Sequence, residues 1–243
     1  MDTTPSLTKP TFSNLLLQAL PADEVRRLRP HLTRVRLVNG AVLYHAGDRI
    51  EHVFFVEQGF ISMVALADGA ESRVEVGLIG RESLVGALAL LSPGATSYVQ
   101  AMVQMPGAAY RIPTIALLAC IEPGSTMRRL ILHAFEASLA QLAQTAACYS
   151  RHTVPERLAR WLLMAHDRVD GDELPLTQEF LAIMLAVRRP GVTIAIGELQ
   201  TAGLVRHSRG RIVICDRPGL EGAACTCYRR VNEFTATLAI QTF

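Results

Sequence analysis

The glycine and proline content of this 243-residue chain changes abruptly at Pro123-Gly124. Before that point glycines recur at turn-like intervals, and short segments rich in branched and aromatic side chains lie between them. From Thr126 to about Arg151 the chain contains neither glycine nor proline. Because these two residues are the strongest local signals for turns and helix ends, the first region predicts many short strands and the second predicts one long helix.

The segments between the early glycines have the composition of strands. They include AVLYH (41–45), HVFFVEQ (52–58) and SRVEVG (72–77), and the last alternates polar and apolar residues as a half-buried strand does. Short strands at spacings of about 8–12 residues are typical of a sandwich or barrel rather than of a parallel α/β sheet. We therefore predict an α+β fold whose N-terminal part is a β jelly-roll barrel.

The stretch from Thr126 to about Arg151 predicts an amphipathic helix, since its apolar residues recur at steps of three and four. A helix of this length after a compact β domain carries a longer apolar stripe than one small domain needs. We predict that the stripe forms a homodimer, while packing within one protomer remains the alternative. The residues predicted to face the partner are Leu130, Ile131, Ala134, Phe135 and Leu142.

Residues 177–203 contain two helix signals separated by a break. Thr177 is a suitable N-cap residue for the first helix, because its hydroxyl can accept a hydrogen bond from a free backbone N–H. Pro190 would cost about 3 kcal/mol inside a helix, but at a helix start its missing N–H costs nothing. Gly203 suits the left-handed end of the second helix. The pattern predicts two short helices joined by a turn at residues 186–188.

A strand-turn-strand hairpin is predicted by RHSRGRIVICD (206–216), directly after these helices. Two short helices and a hairpin describe a winged helix-turn-helix, in which the second helix enters the major groove of double-stranded DNA and its N-terminal residues reach base edges. The residues predicted to contact DNA are Thr177, Gln178, Arg188, Arg189, Gly191, Thr193, Arg206, Arg209 and Arg211. The alternative is a barrel-type binding module whose helical domain makes only protein contacts.

The order of a small β-barrel, a long helix and a C-terminal winged helix-turn-helix resembles the Crp/Fnr family of bacterial transcription regulators. The resemblance covers roughly residues 12–225 and rests also on GAVLYHAGDRIEHVFFVEQG (40–59) and GRESLVGALALL (80–91). It implies a homodimer that reads a palindromic operator, with half-sites about one helical turn apart, and RNA polymerase as a further partner. It divides the chain into a sensor domain (1–123), a dimerisation helix (124–152), a DNA-binding domain (153–222) and a C-terminal tail (223–243).

Two positions depart from the cyclic-AMP-binding members of the family that the chain resembles. Those members hold the ribose with the carboxylate of a Gly-Glu pair and the phosphate with an arginine, whereas this chain has Gly86-Ala87 and Ala95. A buried cyclic phosphate without a cationic partner would lose its hydration without compensation. We therefore predict an effector other than cyclic AMP, in a pocket formed by Gly86, Ala87, Thr96 and Ser97.

The five cysteines are too few and too scattered for a disulfide framework. The first 119 residues contain none, which excludes an N-terminal iron–sulfur cluster like that of the family's oxygen-sensing branch. Cys225 and Cys227 are separated by one residue instead of the usual two, and we interpret them as packing thiols rather than as a metal or redox site. His45 and His52 could approach a metal in a cupin-like enzyme, but no carboxylate-plus-histidine triad accompanies them. We predict no metal, no cofactor and no enzyme activity.

The N-terminal sequence MDTTPSLTKP lacks the basic-then-apolar layout of a signal peptide. The longest apolar stretch, around residues 84–91, is far shorter than the roughly 20 residues that span a bilayer. The net charge of +2 favours no class of partner by itself. These features predict a cytoplasmic protein without a membrane partner.

Overall fold

The computed structural model describes residues 12–66 and 73–241. The first eleven residues and residues 67–72 of the predicted sensor domain lie outside the described residues, as do the last two residues of the predicted tail. Within the described part, a β-sheet domain is followed by one long helix and by a smaller helical domain with its own sheet. The predicted α+β class and the predicted order of parts are confirmed.

The N-terminal domain is an antiparallel sheet flanked by short helices. Its helices are α1 (Leu15–Ala19), α2 (Ala22–Leu28), α3 (Leu88–Leu91) and α4 (Thr114–Cys120). Its strands are β1 (Thr33–Leu37), β2 (Val42–Tyr44), β3 (His52–Leu66), β4 (Arg73–Ile79), β5 (Leu84–Val85) and β6 (Gln100–Pro113). The strands pair in the order β1-β6-β3-β4, with β2 beside β6 and β5 beside β3.

The two long strands β3 and β6 hold this sheet together, and their pairing is irregular. The register shifts between Val56 and Ile61. Gly59 lies at this point with a φ of 78°, and a Cβ there would collide with the carbonyl oxygen of Met105. Bulges of this kind bend a strand and increase its twist. Side chains from β1, β3, β5 and β6 therefore meet in one buried cluster inside a single bent sheet.

Strand β3 is buried on both faces, which explains its nearly continuous apolar sequence. Successive side chains alternate between the faces, as the pleat of a strand requires. Phe54 and Val56 lie in the cluster inside the sheet, whereas Val53 and Phe55 pack against the surrounding helices. The helix side of this core also includes Met127, at the start of the long helix.

The remainder of the chain is largely helical. Its helices are α5 (Thr126–Arg151), α6 (Val154–His166), α7 (Gln178–Met184), α8 (Arg189–Thr201), α9 (Arg217–Ala223) and α10 (Cys227–Gln241). Its strands are β7 (Glu173–Leu174), β8 (Val205–Ser208) and β9 (Arg211–Ile214), which pair in the order β7-β9-β8. Only residues 152 and 153 separate α5 from α6, and Thr153 forms a reciprocal capping box with Glu156.

The helical domain packs directly on the N-terminal sheet. Phe60, Val64, Leu78 and Met105 of the sheet belong to the same buried cluster as the core of the helical domain. Trp161 of α6 lies at this boundary, with its ring edge-on to Phe60 at 6.3 Å between centroids. Trp161 is therefore a core residue, and the core it belongs to is shared by both domains.

Among the described residues, no single helix is long and apolar enough to cross a membrane. The pair α7 and α8 meets the length and composition requirements only when the two are joined across a bend of 104°. The apolar side chains of that pair include Leu181, Met184, Val192 and Leu199, and all four are buried inside the protein.

Candidate DNA interface

Helices α7 and α8 have the geometry of a helix-turn-helix. Thr177 caps α7 as predicted, because its hydroxyl accepts a hydrogen bond from the backbone N–H of Phe180 at 3.2 Å. Ala186 then takes the left-handed φ of 50°, and α8 begins at Arg189 with Pro190 as its second residue. The two helices meet at 104°, within the range typical of this motif.

The inner face of α8 fixes how the helix is presented. Val192, Ala195, Ile196 and Leu199 are buried and lie on one face of the helix. The helix ends at Thr201, followed by Gly203 with a φ of 74°. Since the buried face is fixed against the core, the opposite face and the leading end of α8 point away from the protein.

The leading end of α8 is exposed. Arg188 is the N-cap residue of the helix and Arg189 its first residue, and both side chains lie at the surface. Further along, Thr193 is exposed and donates a hydrogen bond from its hydroxyl to the Gln178 side-chain oxygen at 3.0 Å. Gly191 is half-buried, and a Cβ there would meet Val187 only at ordinary contact distance. The residues predicted from both helices therefore lie on one surface.

The wing is a tight hairpin beside this surface. Arg209 and Gly210 form its turn with φ values of 41° and 78°, which the primed hairpin turns require. A Cβ at Gly210 would lie 3.6 Å from the Thr177 methyl group, so the tip of the wing lies close to the start of α7. The backbone N–H of His207 also donates to the side-chain oxygen of Gln200 in α8 at 3.2 Å. The hairpin is thereby fixed relative to both helices.

Four arginines on these elements have exposed side chains. They are Arg188, Arg189, Arg206 and Arg209, which we call the arginine surface. No carboxylate among the described residues forms an ion pair with any of them. Arg211 differs, because its Nη1 lies 2.9 Å from a carboxylate oxygen of Glu173. Arg211 was predicted with the other DNA contacts, but it could bind a phosphate only in competition with Glu173.

The segments predicted to form an effector pocket are joined through Tyr44. The buried Tyr44 hydroxyl is hydrogen-bonded to the side chain of Ser97 and to the backbone of Gly86, and burial raises the pKa of this phenol. Thr96 is exposed and Ala87 packs on the helix side of the sheet. The four predicted residues contribute no guanidinium and no carboxylate, and the Ser97 side chain and the Gly86 backbone already interact with the Tyr44 phenol.

An open cleft of about 360 Å³ lies beside Tyr44. It is lined by Asp48, Arg49, Glu51 and His52 together with apolar side chains. His52, considered above for a cupin-like metal site, faces this mixed surface. In the described part of the chain, His45 and His52 belong to no group of three potential metal ligands.

The long helix α5 corrects the predicted dimer stripe. Leu130, Ile131 and Ala134 are buried inside the protomer, because the first half of α5 packs against the helices and sheet of the N-terminal domain. Phe135 is half-buried and Leu142 is 43% exposed. The prediction of a helix from the three- and four-residue steps is confirmed, but the most buried residues of that pattern face the core of the same protomer.

A different apolar face of α5 is exposed in the described part of the protomer. Leu132, Leu139 and Leu142 are 42%, 56% and 43% exposed, and Phe135 lies between them. Their spacing of three, four and three residues is the a/d spacing of a helix that packs against another helix. The free stripe therefore shares Phe135 and Leu142 with the predicted one and adds Leu132 and Leu139.

A buried polar network at the domain junction was missed by sequence reasoning. Glu75 of β4 accepts hydrogen bonds from the Ser62 hydroxyl at 2.7 Å and from the Trp161 indole at 2.6 Å. Its carboxyl is fully buried, and desolvation raises its pKa to about 7, although Arg160 and the two hydrogen bonds oppose this shift. The only sequence signal was the polar position of Glu75 in an alternating strand, which is usual for a solvent-facing residue.

Tyr149 of α5 completes this junction. Its hydroxyl lies 3.0 Å from the carbonyl oxygen of Glu75 and 2.5 Å from that of Met184, the last residue of α7. The guanidinium of Arg157 stacks on the Tyr149 ring at 4.4 Å and donates to the carbonyl oxygen of Leu185. The sheet, the long helix and the first helix of the helix-turn-helix therefore meet at one set of side chains.

Two protein-family models match the chain. The model of the cyclic nucleotide-binding domain covers residues 34–123, and that of the Crp-like helix-turn-helix domain covers residues 156–223. Together they cover more than half of the chain. A comparison with curated protein sequences finds no match.

Solved structures with the same arrangement are bacterial regulators. CLP from Xanthomonas campestris, a c-di-GMP-responsive global regulator, has a TM-score of 0.64 and 19% identity over 81% of this chain and 100% of its own. FixK2 from Bradyrhizobium japonicum has a TM-score of 0.66 and 18% identity over 80% of this chain and 98% of its own. A CRP/FNR family regulator from Thermus thermophilus has a TM-score of 0.63 and 20% identity over 79% of this chain and 98% of its own. At these identities the likeness establishes the fold.

Proposed function

This chain belongs to the Crp/Fnr family of DNA-binding transcription regulators, and we propose that it reads a palindromic DNA site as a homodimer and responds to an effector other than cyclic AMP. Members of this family are transcription regulators and not enzymes. For the parts of the chain we propose the division stated above, with a sensor domain (1–123), a dimerisation helix (124–152), a DNA-binding domain (153–222) and a tail (223–243).

The arginine surface carries the proposal for DNA. Arg189 stands at the leading end of α8, where the free N–H groups and the helix dipole also favour a phosphate. A guanidinium there can donate two hydrogen bonds to O6 and N7 of guanine, which is worth about 1–3 kcal/mol of base discrimination. Arg206 and Arg209 of the wing are placed for phosphates, which set register without reading sequence. Thr177, Gln178, Arg188, Gly191, Thr193 and Arg211 complete the proposed interface.

The free stripe of α5 supports the homodimer. Leu132, Phe135, Leu139 and Leu142 would pack against the same residues of a second copy, as a two-fold axis requires. A two-fold dimer places two α8 helices so that they read two half-sites about 34 Å apart. The palindrome is a consequence of this symmetry.

The region around Tyr44 supports an effector other than cyclic AMP. Ala87 and Ala95 supply neither the carboxylate nor the guanidinium that the family resemblance requires for that nucleotide. An effector in the pocket of Gly86, Ala87, Thr96 and Ser97 must bind one arrangement of the dimer more tightly than another in order to act. Its effect could travel along α5 and through the contacts of Tyr149 and Glu75 to α7. We also propose RNA polymerase as a partner and the cytoplasm as the location.

Selection from random duplex DNA with the full-length protein tests the proposal. We expect enriched sequences with two-fold symmetry and half-sites about one turn apart, bound at least roughly 10³-fold more tightly than unrelated duplexes. An Arg34→Ala variant, which removes an exposed arginine from β1, should select the same sequences. Equal affinity for all duplexes would contradict the proposal and favour a binding module whose helical domain contacts only proteins.

A further inference from the structure

Four side chains that commonly bind metals meet where α5 ends and α10 begins. They are Cys148, His152, Cys225 and Cys227. One ligand atom of each, a thiol sulfur or an imidazole nitrogen, lies within 4.8 Å of the corresponding atom of every other. Within the described residues, no other group of three or more histidine, cysteine or carboxylate side chains brings its ligand atoms this close together.

The fold brings two sequence pairs together to form this cluster. Cys148 and His152 are four residues apart at the end of α5, so they lie on one face of the helix, one turn apart. Cys225 lies in the connection between α9 and α10, and Cys227, two residues later, is the first residue of α10. All three thiols are buried, with at most 5% of any of these residues exposed, and together they form a cluster of their own.

Two of the distances between ligand atoms match those around a tetrahedral ion. The sulfurs of Cys148 and Cys225 are 3.5 Å apart, and the Cys227 sulfur is 3.5 Å from Nδ1 of His152. Around Zn²⁺, bonds of about 2.3 Å to sulfur and 2.0–2.1 Å to nitrogen place tetrahedral ligand atoms roughly 3.5–3.8 Å from one another. A disulfide needs about 2.05 Å between sulfurs, and the cysteines are free thiols here.

The charges around the cluster suit a metal thiolate. Three thiolates and a neutral imidazole around a divalent ion carry a net charge of −1. Arg160 of α6 is buried beside Thr145, three residues before Cys148, and its Nη2 donates to the Thr145 hydroxyl at 3.0 Å. The side-chain N–H of Gln144 donates to the Cys227 sulfur at 2.9 Å, as hydrogen bonds to metal-bound sulfur do.

In place of the packing role expected from the sequence for Cys225 and Cys227, we propose that Cys148, His152, Cys225 and Cys227 form a zinc site that fastens the C-terminal helix α10 to the end of α5. Softer thiolate and imidazole ligands in a closed tetrahedral set are those that Zn²⁺ prefers, and four protein ligands leave no open position for catalysis. The site includes His152, the first of the two residues (152–153) that connect α5 to the DNA-binding domain. Bound zinc therefore restrains the connection between the two domains.

Cobalt titration of the full-length protein tests the site directly. After chelation and reduction, we expect one Co²⁺ per chain, sulfur-to-cobalt charge-transfer absorption and the visible bands of tetrahedral cobalt, all removed by one equivalent of Zn²⁺. Cys148→Ser and Cys225→Ser should each weaken binding by at least about 100-fold. Cys215→Ser is the matched control, because Cys215 is exposed and outside the cluster, and it should bind as the wild type does.

His152 provides a variant that does not remove a buried thiol. His152→Ala should weaken binding, and His152→Cys should restore it, since a fourth thiolate completes the set. Circular dichroism shows whether each variant folds. The proposal is overturned if reduced wild-type protein shows no tetrahedral cobalt spectrum, or if Cys148→Ser and Cys225→Ser bind as tightly as Cys215→Ser. An iron–sulfur chromophore in place of a single divalent ion would equally overturn the assignment to zinc.

Discussion

The arginine surface of the C-terminal domain and the region around Tyr44 in the N-terminal domain differ in how their polar groups are satisfied. Arg188, Arg189, Arg206 and Arg209 are exposed and form no ion pair with the described carboxylates. The Tyr44 hydroxyl, in contrast, is buried and hydrogen-bonded within the fold. A surface of unpaired cations gains free energy from a polyanion, because counterions are released and direct hydrogen bonds form. A buried region whose polar groups already have partners offers an anion no such gain.

Replacing Arg189 should break the arginine surface at its most important point. Since each half-site loses about 1–3 kcal/mol of base discrimination, Arg189→Ala should lower the preference of the dimer for its selected site by roughly 2–6 kcal/mol. Fluorescence anisotropy with the selected duplex and a scrambled one measures the preference. Arg34→Ala serves as the control. Unchanged preference in Arg189→Ala would show that the specificity lies elsewhere on the surface.

In the proposed dimer, the free stripe of α5 holds two protomers together, so that their two arginine surfaces can bind two half-sites. Leu139 is 56% exposed in the protomer, and Leu139→Glu would place a carboxylate in the proposed interface. We expect the dimer to weaken by at least about 3 kcal/mol, because two apolar contacts are lost and two charges are desolvated. Sedimentation equilibrium reports the change. Glu198→Gln, an exposed glutamate variant on α8 and outside the stripe, should leave the dimer intact, and a dimeric Leu139→Glu would rule out this face.

Glu75 at the junction should make stability depend on pH. Its folded-state pKa of about 7 lies above the ordinary value of 4.5, so the folded protein binds this proton more tightly than the unfolded chain does. The contribution is complete below about pH 4.5 and is lost as the pH rises through 7, by about 3 kcal/mol in all.

Urea unfolding at several pH values tests this contribution. Relative to Glu75→Gln, which cannot ionise, the wild type should lose stability between pH 5 and pH 8. Glu198→Gln, which replaces an exposed glutamate that forms no ion pair with the described residues, should follow the wild type at every pH. Parallel curves for wild type and Glu75→Gln would show that the buried carboxyl does not titrate in this range.

Two arginines of the wing offer a finer comparison. Arg209→Ala removes an unpaired cation and should lower DNA affinity about tenfold and reduce the salt dependence. Arg211→Ala should lower it less than about threefold, because its exposed pair with Glu173 already occupies the guanidinium. Binding measured at a series of salt concentrations separates the two. A larger loss for Arg211→Ala would show that its pair with Glu173 gives way to a phosphate.

For cyclic AMP we expect no measurable binding at the region around Tyr44, and this is the smallest of the expected effects. Calorimetry with full-length protein should give no saturable heat at micromolar nucleotide, since Ala87 and Ala95 supply no ionic partner. Binding in the micromolar range would mean that other groups, such as Arg49 in the neighbouring cleft, can hold the phosphate. That outcome would remove the contrast between the two regions.

Features that depend on near neighbours in sequence could be predicted well. The Thr177 cap, the turn at Ala186 and the start of α8 at Arg189 depend on hydrogen bonds and backbone preferences within a few residues. The alternation in β4 and the amphipathic pattern of α5 likewise repeat at the fixed periods of strands and helices. The arginine surface was predictable because its members lie at the ends of such elements.

Features that depend on distant packing could not be predicted in the same way. The apolar stripe on α5 indicates that one face of the helix is buried. It does not indicate whether the same protomer or a second copy covers that face. The sheet covers Leu130 and Ile131, and this leaves Leu139 exposed. The sequence gives no sign that Arg211 is paired. In the structure, β7 places a carboxylate oxygen of Glu173 2.9 Å from the Arg211 guanidinium.

The sequence by itself determined the class of the protein, the order of its parts and the local form of the helix-turn-helix. Only the tertiary structure decided which face of α5 is free, that Glu75 is buried beside Trp161, and that Cys148 meets Cys225. Short-range signals depend on backbone conformational preferences, which are set by each residue and its near neighbours in sequence. Burial and clustering depend on chain segments that approach only when the domains pack, here across 77 residues for the two cysteines.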